Sequence, residues 1–226
     1  MELKKGNRAD LNSSKFKIGL GWDPNSDGVD FDLDVSAFIL GHDGKVLFDG
    51  TPKGENFIVY YNSEGRMLPS DLDNNNYRLE PYDSIKYPNR EKDYREKTRP
   101  VSPNFEVIGS IDDKDGRSSD GDDDEDMFID LGKIQSDANE IIIVASIYEA
   151  VDRRQNFGQV RNAYIRVVDK LTNKELLKYE LDEDFSYETV VEFGRIYKRG
   201  EAWRFEALGN GTSNGLEGCI KKYSSF

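Results

Sequence analysis

The stretch from Asp23 to Asp34 (Asp-Pro-Asn-Ser-Asp-Gly-Val-Asp-Phe-Asp-Leu-Asp) is the strongest constraint on how this chain can fold. It holds five aspartates and no lysine or arginine. On either side, Lys15 to Leu20 and Val35 to Leu40 have the alternation and composition of buried strands. Water screens a loop pinned between two such strands poorly. In extended backbone Asp30, Asp32 and Asp34 fall on one face, with Phe31, Leu33 and Val35 on the other. Same-face neighbours lie about 7 Å apart, where like charges near a protein surface repel by roughly a kcal/mol per pair. A hard cation relieves that repulsion. Ca²⁺ suits the task because it accepts about six to eight oxygen ligands in irregular geometry. A solvated turn is the competing explanation, since Pro24-Asn25-Ser26-Asp27-Gly28 is good turn sequence in its own right.

The spacing of Asp23, Asn25, Asp27, Gly28 and Asp34 also fits an EF-hand loop. Its flanks read as strands rather than helices, and the last position is Asp34 where that loop uses a longer, bidentate Glu. An acidic loop joining two strands describes the stretch better.

A second acidic stretch, Asp112 to Asp126, has nine acidic and two basic side chains, about half of the net charge of −13 carried by the whole chain. A solvated acidic linker is the plain explanation of such a block. Against it, glycines punctuate the stretch, and it runs directly into the strand-like Met127-Phe128-Ile129-Asp130-Leu131. Two such loops in one small domain suggest a shared cation site.

The acidity argues against a nucleic-acid partner, whose binders depend on basic patches. One cysteine, Cys219, excludes an internal disulfide and fits a reducing compartment; it reads as a packing residue. The first residues lack a signal-peptide core and no apolar run approaches transmembrane length, so the expectation is a cytoplasmic protein with no direct membrane insertion. The sequons at Asn12 and Asn210 then carry no meaning.

The rest of the chain reads as short strands punctuated by turns. Gly41-His42-Asp43-Gly44 is a hairpin turn that leaves His42, the single histidine, exposed. Residues 56–61 are strand-like, and Glu140 to Tyr148 is the most apolar run, suited to a central strand. Ala163 to Val168, Leu176 to Leu181, Thr189 to Tyr197 and Ala202 to Leu208 follow, the last two pairing across Arg199-Gly200. Gly215 to Tyr223 suits a short terminal helix burying Leu216, Cys219 and Ile220. The pattern predicts an all-β, two-sheet antiparallel β-sandwich in a single domain over 1–226. From about residue 65 to 104 the chain is polar with no sustained apolar period, which reads as an insertion with a short helix near Arg90 to Lys97.

With these pieces in place, the sequence resembles the tellurium-resistance TerD family. The resemblance rests on Gly19-Leu20-Gly21-Trp22-Asp23, Asp27 to Phe38, Ile147-Tyr148-Glu149-Ala150, Gln155 to Ala163, Phe193-Gly194-Arg195-Ile196-Tyr197 and Trp203-Arg204-Phe205. It covers nearly the whole chain outside the insertion, making this a divergent member. It implies a β-sandwich binding Ca²⁺ through acidic loops at one end. It also implies a non-catalytic stress-response role with protein partners in a membrane-associated resistance complex. The ligand set expected is Asp30, Asp32 and Asp34 with Asp122, Asp123 and Asp124, for one or two ions, with Asp27 and Glu125 as further ligands or supporting groups. The second loop departs from the family pattern at its front. Ser110 stands where the family has Asp, and Asp112, Asp113, Asp115 and Asp120 remain alternative front ligands.

Two other functions compete with this one. Relatives described as binding cyclic AMP suggest a small-ligand protein, with Arg153, Arg154 and Arg161 available for a phosphate, but no phosphate-binding loop is present. A metal-assisted hydrolase is the other. The chain offers neither a Ser-His-Asp set nor a redox cysteine pair. Glu149 and the block Gln155 to Val160 are open between structural and functional roles.

Overall fold

The computed structural model describes residues 5–23, 30–48, 57–114, 123–181 and 185–225. Strands are numbered here in chain order. One sheet has the order β1 (Arg8–Asp10), β13 (Ala202–Thr212), β12 (Val190–Arg199), β9 (Glu140–Ile147), β3 (Leu33–Leu40) and β4 (Ile58–Val59). The second runs β11 (Lys174–Glu180), β10 (Arg161–Asp169), β2 (Lys15–Asp23), β8 (Glu125–Asp130) and β7 (Val107–Ile108). Neighbouring strands pair antiparallel throughout. The two sheets make the expected β-sandwich, with one hydrophobic cluster between and around them.

Period-two geometry explains how β2 serves both the core and the surface. Phe16, Ile18, Leu20 and Trp22 are buried, while Lys17, Gly19 and Gly21 occupy the opposite face. On β9 both faces are covered, hence its continuous apolar run. Ile141, Ile143 and Ala145 stand opposite Ile39, Ala37 and Val35 of β3. The alternate set of β3 meets helix α3 (Gly215–Tyr223 in the chain, after α1, Pro69–Asp73, and α2, Ala150–Arg153): the Phe38 and Tyr223 rings lie 5.3 Å apart. Leu216 and Cys219 are buried along α3, and burial pushes the Cys219 thiol up to about 11, consistent with a packing role. His42 is exposed in its turn, where Gly44 adopts φ +72° and Gly41 N–H donates to the Lys45 carbonyl.

The expected strand over 56–61 is shorter, reduced to Ile58–Val59, because β4 meets β3 only at Ala37 and Phe38. The excursion is closed at its base by a ladder of β5 (Arg66–Met67) and β6 (Arg99–Pro100). Its predicted helix near Arg90 to Lys97 is one π-helical turn, Arg90–Tyr94, followed by a 3₁₀ turn, Arg95–Lys97. What orders this segment is polar. Arg66 is buried, and its guanidinium donates to Thr98 Oγ1 at 2.7 Å and to the carbonyls of Tyr61, Ser63, Arg95 and Thr98. Tyr94 packs against Tyr82 and Tyr87 and donates its hydroxyl to the Glu80 carbonyl at 2.6 Å.

Candidate metal centre

Among the described residues, strand β3 has a partner on one edge along its full length but on the other edge only in its second half, at Ala37 and Phe38 and through the Leu40–Val46 bridge. Its front half, Leu33 to Ser36, is therefore unpaired on that side, and a side chain from the opposite sheet fills the gap. Glu125, the first residue of β8, accepts the Val35 N–H at 2.8 Å and is 3% exposed. The two sheets are stitched here by a buried carboxylate.

Beside it, Asp32 and Asp34 are two residues apart and project to one side, and Asp112 approaches from the chain after β7. One carboxylate oxygen from each of these three lies within 4.8 Å of the others. The Asp32 backbone is fixed by Tyr148 N–H donating to its carbonyl at 2.8 Å. Asp32 is 6% exposed, yet its Oδ1 has no hydrogen-bond partner among the described residues.

Burial and mutual repulsion act together on these groups. Desolvation, helped by the Asp112 charge, pushes Asp32 up to about 7. Asp34 is driven well above the carboxylate range by burial and then by Asp32 and Asp112. Burial also raises Asp112. Glu125 rises through burial and the Asp34 charge, despite the Val35 N–H. Arg66 lines the same small cavity as Asp34, Asp112 and Glu125, and burial lowers its guanidinium to about 10. Three facing carboxylates, two of them buried and one with an unpartnered oxygen among the described residues, fit a hard, oxygen-seeking cation.

The remaining expected residues have other places. Asp30 is exposed at the loop's end, its carbonyl accepting Gln155 Nε2–H at 2.9 Å, so the side-chain amide of that block does bond loop backbone beside the site. Asp124 accepts the Trp22 N–H at 2.8 Å. Asp123 lies on the outer face of β2 across Gly19, gripped by Arg166 Nε and Nη2 at 2.7 and 3.0 Å, Lys17 Nζ at 2.6 Å and Tyr164 Oη at 3.2 Å. Burial alone would raise this carboxyl, but the Arg166 and Lys17 contacts outweigh burial and hold it below its ordinary value. Asp27 and Asp122 lie outside the described residues, as do Asp115 and Asp120. Ser110 accepts the Asp126 N–H at 3.1 Å, and among the described residues Asp112 is the front residue that reaches the cluster. Sequence reasoning had not separated Asp112 from its neighbours.

The EF-hand reading stays excluded, since strands β2 and β3 flank the first loop. For the phosphate reading, Arg153 stacks over the Tyr148 ring at 5.1 Å and lies 3.6 Å from Glu149, while Arg154 and Arg161 are exposed.

A family model of the TerD domain matches residues 1–68 and 99–223. The chain belongs to the TerD family. Curated TerD-family relatives align over nearly its full length. The uncharacterized protein YceE of Bacillus subtilis is 36% identical over 232 residues, covering 99% of this chain and 97% of the relative. Tellurium resistance protein TerD of Serratia marcescens is 33% identical, with 99% and 96% covered. General stress protein 16U of Bacillus subtilis is 34% identical, again with 99% and 96% covered. Two solved structures share the fold. One is a protein of unknown function (TM-score 0.64, 17% identity, 93% of this chain and 96% of that one). The other is a homologue of telluride resistance protein (TerD) from Streptomyces coelicolor (TM-score 0.60, 16% identity, 92% and 96% covered). Residues 69–98 stand outside the TerD match. No helix among the described residues is long and apolar enough to cross a membrane.

Proposed function

We propose that this TerD-family protein is a non-catalytic, calcium-binding stress-response protein of the cytoplasm. Its acidic loops, ordered by Ca²⁺, would present a surface to protein partners of a stress-resistance complex. Relatives named for stress response and tellurium resistance support the stress-resistance role. The observation that carries the metal reading is the orphaned Asp32 Oδ1, buried within a triad of facing carboxylates. A buried polar atom without a partner is expensive, and a divalent ion would supply its partner together with charge compensation.

Asp32, Asp34 and Asp112 would contribute ligand oxygens, and Glu125 would hold β3 against β8 beside them. Without the ion, the carboxylates repel and share protons. With it, both acidic loops are drawn to one end of the sandwich. Saturation at a hundredfold excess over the dissociation constant raises stability by about 2.7 kcal/mol.

The test is calorimetric titration of chelator-stripped protein with Ca²⁺ and with Mg²⁺, paired with thermal melts and repeated on Asp32→Ala. Binding heat and a raised melting temperature with Ca²⁺, both lost in the variant, are expected. Absence of both in the parent protein refutes the proposal.

A further inference from the structure

Residues 69–98, outside the TerD match, help to roof a cavity of about 280 Å³ on the second sheet. It opens beside Lys15 and Asp130, the end of β8 away from Glu125, so it is separate from the carboxylate cluster. Three aromatic rings meet there: Tyr77 from the inserted segment, Phe105 from the turn before β7, and Phe128 from β8. The Tyr77 and Phe105 centroids are 6.0 Å apart.

Phe105 has φ +58°, a conformation that bulky side chains rarely adopt. Its turn is locked from below: Phe105 N–H donates to the Ser102 carbonyl at 3.0 Å, and the fully buried Glu106 carboxylate accepts Asn104 N–H and the Ser102 hydroxyl at 2.9 and 2.7 Å. Strain held this firmly beside an open cavity points to a positioned ring rather than a packing accident.

The charges around the rings run against the acidity of the whole chain. Lys170 Nζ lies 5.3 Å from the Phe128 centroid, and Lys133 sits over Tyr77. Among the described residues neither lysine has a carboxylate at ion-pair distance, and Lys15 has Asp130 at 3.7 Å. Of the lining carboxylates, Asp130 also accepts Gly132 N–H and Asp73 stands at the exposed rim. The volume falls just under the roughly 300 Å³ at which ligand pockets begin, which limits an occupant to one or two rings.

We propose that this cavity binds a small aromatic carboxylate, its ring among Phe128, Tyr77 and Phe105 and its carboxylate on Lys170 and Lys15. The rings supply apolar faces, Lys170 gains the counter-charge it lacks among the described residues, and Lys15 adds a second ammonium beside its contact with Asp130. The site lies where residues 69–98 meet the second sheet and is independent of the cation cluster.

The full-length protein, in chelator and again in Ca²⁺, is titrated with 1-naphthoate and with the cationic 1-naphthylmethylamine, followed by calorimetry and ligand-observed NMR. Saturable single-site binding of the carboxylate in both buffers, and none of the amine, is expected. Lys170 is exposed, so Lys170→Glu should keep its melting temperature while weakening naphthoate by about tenfold or more. No saturable naphthoate binding, equal binding of the amine, or unchanged affinity in Lys170→Glu overturns the proposal.

Discussion

Replacing Gly19 by alanine is a one-methyl perturbation with a large expected effect. A Cβ at this position would lie 2.1 Å from Asp123 Cγ and within 2.3 Å of both carboxylate oxygens, so the side chain cannot stay. That carboxylate is 1% exposed and holds Arg166 through two hydrogen bonds, with Lys17 and Tyr164 completing the grip. Breaking a buried, bonded ion pair costs about 3–5 kcal/mol. Arg166 and Lys17 retain partial access to water, with side chains 23% and 22% exposed, which places the loss toward the lower end. Alanine recovers up to about 1 kcal/mol over glycine in a strand. The net expectation is a loss of roughly 2–3 kcal/mol, measured by urea unfolding at neutral pH with an unchanged m-value. The double-mutant cycle decides the cause. In an Asp123→Ala background the clash partner is gone, so Gly19→Ala should be close to neutral there. A loss below about 0.5 kcal/mol in the parent, or the same loss in both backgrounds, would refute the reasoning.

Three further outcomes follow from the buried charges. Asp32→Asn should stabilise the chelator-treated protein, because it removes one of the repelling carboxylates, while abolishing the calcium-dependent rise in melting temperature; a destabilised variant that still responds to calcium contradicts this. Asp32 titrates at about 7 when folded against an ordinary 3.8, so the folded state keeps a proton that the unfolded chain has released. Stability in chelator should therefore fall as pH rises from about 5 to 7, by at most about 2.7 kcal/mol from this group over those two units. Carboxylates held low, such as Asp123 and Glu206, are ionised throughout that window and lend it no slope. Urea midpoints at the two pH values check the sign, and saturating calcium should flatten the trend. Arg66→Met should cost about 3–5 kcal/mol, since it strands the carbonyls of Tyr61, Ser63, Arg95 and Thr98; an unaltered urea midpoint rules out the network as a source of order.

Apolar periodicity made most of the sandwich readable in advance. The β12–β13 hairpin announced itself through alternation on both sides of Gly200, which adopts φ +62°, and α3 through the spacing of Leu216, Cys219 and Ile220. The insertion was opaque because its order comes from one buried guanidinium and a group of tyrosines, which leave no period in the sequence. At the site, Asp32 and Asp34 could be paired by strand geometry alone. Asp123, Asp124 and Glu125 are alike as letters, and only contacts with residues distant in the chain give them different tasks. The glycines of Gly19-Leu20-Gly21 belonged to the family resemblance, but the reason they are glycines needed the fold. Gly19 makes room for Asp123, and a Cβ on Gly21 would strike the Tyr164 ring at 2.5 Å.

The half-bare border of β3 has a consequence for how these molecules behave in a crowd. An uncovered strand margin invites a neighbouring chain to zip on. Here Glu125 already occupies the Val35 N–H, and any newcomer would have to displace it while facing the buried carboxylates of Asp32 and Asp34, an arrangement that disfavours edge-to-edge pairing. The same oxygens that would welcome a divalent ion thus act as a sentry at that margin.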